Sequence, residues 1–76
     1  MKAYLLIETR PGTSEDVVKA IRTRFKHVLH ADSVYGRHDV IVVLEAPNLE
    51  QLNEFVYKVI ERDPNIVHTE TAITLF

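Results

Sequence analysis

The chain has 76 residues, no cysteine and a formal net charge of −2. That length allows one small domain. The absence of cysteine excludes disulfides and thiolate metal sites, and the charge leaves no basic balance for a general nucleic-acid footprint. No apolar run approaches the roughly 18 residues of a membrane span, and the apolar start over residues 1–7 is too short for a signal peptide. A cytoplasmic protein is therefore expected. A domain of this size buries only about 60% of its unfolded surface, so oligomerisation is the leading source of the stability it lacks.

Residues 3–9 are mostly apolar without alternation and predict a first strand, ended by the turn chemistry of Arg10-Pro11-Gly12. Thr13 or Ser14 offers an N-cap, and Glu15 and Asp16 suit the positive end of a helix dipole. Val17, Ile21, Phe25 and Val28 recur at helical spacing, with Lys19, Arg22, Arg24 and Lys26 on the other side. A helix over residues 14–25 follows. Residues 27–35 form the most polar strand, interrupted by His30, Asp32 and Ser33. Tyr35-Gly36-Arg37-His38 is short enough for a hairpin connection. Gly36 is one of two glycines and marks a sharp bend; the short carboxylate of Asp39 is placed to accept from backbone N–H groups.

Five consecutive apolar residues, Val40 to Leu44, make the third strand, which stops at Ala46-Pro47. Asn48 is a second N-cap, with Gln51 completing a capping-box-like pair. Leu49, Leu52, Phe55, Val56, Val59 and Ile60 form an apolar stripe with a 3.6-residue period, and Glu54 and Lys58 pair on the exposed side. Asp63-Pro64-Asn65 ends this helix. Residues 66–76 form the last strand, with threonines at 69, 71 and 74.

The order strand, helix, strand, strand, helix, strand predicts an α+β, ferredoxin-like fold. It is a four-stranded antiparallel sheet with both helices on one face. Two helices cover one face only. Yet Leu5-Leu6-Ile7 and the run from Val40 to Leu44 are apolar on both faces, where a half-wet strand alternates. The uncovered face is then a large apolar patch, and packing two sheets face to face in a two-fold homodimer removes it.

At Gly36-Arg37-His38-Asp39 the chain begins to resemble a known family. The pattern Val34-x-Gly36-x-x-Asp39, an apolar strand, the amphipathic helix, Pro64-Asn65-Ile66 and Thr69-x-Thr71-x-Ile73-x-Leu75 resembles the ligand-binding domain of Lrp/AsnC transcription regulators, also called the regulation of amino-acid metabolism (RAM) domain. The resemblance spans residues 3–75. Asn65 stands where the family commonly has Gly, and His38 where an aromatic Tyr is common. The resemblance implies sheet-to-sheet dimers assembling into octameric or decameric rings, and amino-acid effectors bound between dimers near the turn and the last strand. No helix-turn-helix domain precedes the first strand, so a stand-alone module is expected. It would touch no DNA directly and would act on transcription by joining a full-length regulator.

The implied ligand residues are Tyr35, Gly36, Arg37, His38, Asp39, Thr69 and Thr71. Backbone N–H groups around Gly36 and His38 would hold a carboxylate, Asp39 would accept from an ammonium, and the two threonines would add hydroxyl bonds from a neighbouring subunit. The same residues serve equally as a tight turn and ordinary β-branched strand positions. The four histidines show no metal-ligand spacing, and neither a metal nor a cofactor is expected. Two alternatives remain: an ACT-like sensing domain, and a small dimeric ferredoxin-like enzyme of monooxygenase or isomerase type, for which His30, Asp32 and His68 are the residues to watch.

Overall fold

The computed structural model describes residues 1–76. The elements run β1 (Lys2–Thr9), α1 (Ser14–Arg24), β2 (Val28–Ser33), β3 (Val40–Glu45), α2 (Leu49–Arg62) and β4 (Ile66–Ile73). The strands form one sheet in the order β2-β3-β1-β4, and every neighbouring pair is antiparallel. This is the ferredoxin-like arrangement expected from the order of the elements.

Strand parity defines the two faces. Ala3, Leu5 and Ile7 of β1, Val40, Val42 and Leu44 of β3, and Ala31 of β2 are all buried. They form one core with Val17, Val18 and Ile21 of α1 and Leu52 and Val59 of α2. This is the helix-covered face. Tyr4, Leu6, Ile41 and Val43 point the other way and are only half-buried. The apolar run from Val40 to Leu44 is thus divided between a closed core and an open face.

The helices differ in how they start. Asn48 caps α2, its side chain accepting from the Gln51 N–H at 2.8 Å. Thr13 precedes α1 without a side-chain cap; its hydroxyl donates to the Arg10 carbonyl at 2.7 Å. The stripes also need adjustment. Val28 belongs to β2 rather than α1, and Val18 joins the buried set. On α2 the stripe is narrower than its period suggests: Leu49 and Ile60 remain 51% and 46% exposed.

Two strands are shorter than their β-prone sequences. The last pair of the β2–β3 ladder is Ser33 with Val40, and beyond it the Val34 N–H goes to the Asp39 carbonyl at 2.8 Å. At the other edge, β4 pairs as far as Ala3 with Ile73, and the Thr74 N–H and hydroxyl both end on the Lys2 carbonyl. Beyond these bonds, Tyr35, Leu75 and Phe76 have no strand left to pair with. The α2–β4 connection does without a left-handed residue at the position where the family commonly has Gly. Only the two glycines have positive φ, so Asn65 is not left-handed. Its N–H is instead held by the Asp63 side chain at 3.0 Å, and the Ile66 N–H by the Asp63 carbonyl at 3.1 Å.

Candidate functional site: the β2–β3 turn and the last strand

The turn is built on Asp39. Its N–H donates to the Ile7 carbonyl at 2.9 Å, its carbonyl accepts from Val34 at 2.8 Å, and its Oδ2 accepts from the Thr9 N–H at 2.8 Å. One residue therefore fastens the start of β3 to the end of β1. The carboxylate does bind backbone N–H, as its position suggested, but the partner lies 30 residues away. Tyr35, Gly36 and Arg37 project from this anchor and are exposed. Gly36 adopts φ 158° and a Cβ there would meet nothing within 4 Å, so there is open space on that side of the tip.

His38 behaves differently. Its side chain is only 16% exposed, and Nε2 lies 3.8 Å from Glu70 Oε1. This nitrogen is buried and has no hydrogen-bond partner. His68 Nε2 lies 3.7 Å from the same oxygen. Glu70 pairs with Leu6 and His68 with Glu8, which puts both on the open face. Turn and last strand therefore meet through His38, Glu70 and His68.

Thr69 and Thr71 take the opposite face. They pair with Ile7 and Leu5, both buried beneath the helices. Thr69, Ile7 and Val40 lie in one row across β4, β1 and β3, so Thr69 is two strand spacings, about 10 Å, from the foot of the turn. The structure brings His38 and Asp39 to one place and leaves Thr69 and Thr71 on the other side of the sheet. Glu70 was not singled out by the sequence. The alternation His68-Thr69-Glu70-Thr71 contains the signal, but it becomes readable only once the register fixes which parity faces the helices.

His30 and Asp32 pair with Val43 and Ile41 on edge strand β2, whereas His68 lies on the opposite edge strand. Three strand spacings, roughly 14 Å, separate them. Asp32 is held by Arg22 at 3.2 Å. These three residues do not form a common centre. No group of three or more His, Asp or Glu side chains is arranged to hold a metal ion, and no helix is long and apolar enough to cross a membrane.

A family profile describing the Lrp/AsnC ligand-binding domain matches residues 2–75. The chain belongs to this family. The Lrp/AsnC fold is shared by solved structures of similar length. The hypothetical protein PHS023 from Pyrococcus horikoshii is 31% identical, with a TM-score of 0.88 over 99% of this chain and 89% of that one. FFRP-DM1 is 31% identical, with a TM-score of 0.88 over 97% of both chains. TTHA0845 from Thermus thermophilus is 25% identical, with a TM-score of 0.86 over 99% and 95%. No curated protein sequence matches the chain. Family and fold together describe a regulatory ligand-binding domain.

Proposed function

We propose that residues 1–76 act as a single effector-binding and oligomerisation module. It takes a free amino acid or a related small metabolite and has no catalytic role. The observation that carries this reading is the family match over residues 2–75, and the geometry supports it twice. First, Tyr4, Leu6, Ile41 and Val43 form an apolar centre on the open face. Glu8, His30, Asp32, His68 and Glu70 stand around it, the apolar-core, polar-rim pattern of a protein interface. A homodimer packed through this face buries that centre, and dimers then close into a ring of eight or ten. Second, the turn and the β4 threonines use opposite faces of one protomer. A pocket using both draws them from different subunits, which fits a ligand held between dimers. Transcription would be affected indirectly, through association with a full-length Lrp/AsnC regulator, in a cytoplasmic setting.

Asp39 has a structural duty, so testing its ligand role requires a substitution that preserves that duty. Asp39→Asn keeps an oxygen for the Thr9 N–H and removes the charge that would meet an ammonium. A thermal-shift screen with the twenty amino acids, paired with light scattering, is the test. A ligand at about 100 times its Kd adds about 2.7 kcal/mol. The expected result is a shift with one amino acid class, a dimer or larger assembly, and loss of the shift in Asp39→Asn at nearly unchanged basal Tm. A folded monomer that no amino acid stabilises overturns the proposal.

A further inference from the structure

On the face away from the open sheet, a groove of about 420 Å³ runs between the end of α1 and one side of α2. Its apolar floor is Phe25 and Phe55, whose rings meet edge to face with centroids 4.8 Å apart. Arg24, Lys58 and Arg62 stand along its walls. The same three cations and Phe25 also rim an adjoining narrow pit that reaches Ile21 and Val59 of the core.

The charges along the groove do not cancel. Glu54 is its one carboxylate, and Lys58 holds it at 2.8 Å. Asp63, at the end of the pit, is engaged by the Asn65 N–H. Arg24 and Arg62 are without an ion pair or side-chain hydrogen bond, as is Arg37 at the tip of the β2–β3 turn, whereas Arg10 and Arg22 are both engaged. Both guanidiniums of the groove sit in the last turn of a helix, where a cation also offsets the helix dipole. The dipole accounts for a positive charge at those positions. It does not account for both of them lining one groove with a half-buried aromatic floor, in a chain whose net charge is negative.

We propose that this groove is a second ligand site, for a planar aromatic anion whose ring packs against the edge-to-face Phe25–Phe55 pair and whose carboxylate meets Arg24 and Arg62. Guanidinium is the side chain suited to bidentate carboxylate recognition, and the aromatic pair supplies the apolar contact that a small flat ligand needs. The volume falls within the range of small-molecule sites. The site uses none of the turn residues and does not depend on the effector reading.

The test is an NMR titration of the whole chain with 2-naphthoate and, separately, with its neutral isostere 2-naphthamide. The expected result is naphthoate-induced shifts centred on Arg24, Phe25, Phe55, Lys58 and Arg62. In the double variant Arg24→Gln/Arg62→Gln, naphthoate binding should weaken at least tenfold while naphthamide binding is unchanged. Both arginines are exposed and unpaired, so the variant should keep the dispersed spectrum of the parent; loss of that dispersion would mean the guanidiniums serve the fold, which overturns the proposal. Equal binding of the two probes, shifts centred on Tyr4, Leu6, Ile41 and Val43, or no shifts at millimolar probe also overturn it.

Discussion

Asp39 is the residue whose meaning the structure changes most. Its three backbone-directed bonds join β1, β2 and β3 at one corner. Removing the carboxylate leaves the part-buried Thr9 N–H without its acceptor, which costs about 1–3 kcal/mol. Asp39→Ala should lower Tm measurably by calorimetry, whereas Asp39→Asn should fall by much less. A second residue-scale prediction concerns Glu54. The hydrogen bond from Lys58, followed by the attraction of its charge, holds the Glu54 carboxyl below the usual carboxylate range. A depressed folded-state pKa means that the pair's contribution is present above the ordinary carboxylate pKa and is lost as pH falls through the lowered value. The pair is exposed and solvent-screened, so the titration is the better readout than stability. A ¹³C-carboxyl NMR titration should find Glu54 ionising at lower pH than an ordinary glutamate, and Lys58→Met should return it upward.

At the scale of elements, α2 shows which part of a periodic stripe is energetic. Leu52 is fully buried beneath the helix while Leu49, one turn earlier, is half exposed. Leu52→Ala should cost about 2–5 kcal/mol, enough to unfold much of so small a domain, and Leu49→Ala about 0.5 kcal/mol or less. Urea denaturation of the two variants side by side checks the contrast. The same helix explains what a sequence can and cannot disclose. Its cap at Asn48, its Glu54–Lys58 pair and its stop at Asp63 are local, and local chemistry was enough to place them. The outer limits of its stripe depend on how far the sheet extends beneath it. Likewise Tyr35 and Leu75-Phe76 are as β-prone as the residues before them, and only the lengths of β3 and β1 decide that they stay unpaired. The candidate site was readable by the same measure. The turn with Gly36 and Asp39 has a local signature, but the separation of Thr69 and Thr71 from His38 is a matter of parity and register.

The whole molecule is organised by a sheet with one face closed and one face apolar but open. The closed face needs the odd-numbered residues of β1 and the even-numbered residues of β3; the open face is left with Tyr4, Leu6, Ile41 and Val43. Val43→Asp tests whether that face is a dimer interface without disturbing the core behind it. In a sheet-to-sheet dimer the charge falls within a desolvated apolar centre, and the mass by light scattering at micromolar protein should drop to that of a monomer. An unchanged assembly would place the interface elsewhere. Glu70 and His68 are exposed on the same face beside the largely buried His38, so the first two should move from the surface to the interior as the dimer forms, and their side-chain NMR signals should differ between the parent and Val43→Asp.

The pairing of β1 has a bearing on how the chain is made. β1 is synthesised first among the strands, yet it lies inside the sheet between β3 and β4. One of its two edges waits for β3, and the other for the last strand to emerge. Until Ile66–Ile73 arrives, Ala3 to Thr9 offers a row of unpaired N–H and C=O groups beside apolar side chains, the condition in which nascent chains stick to one another. A slow stretch of translation before β4 would prolong that exposure, and a chain cut short after α2 would carry it permanently. The interval in which this domain most needs protection is therefore the one between the synthesis of β1 and that of β4.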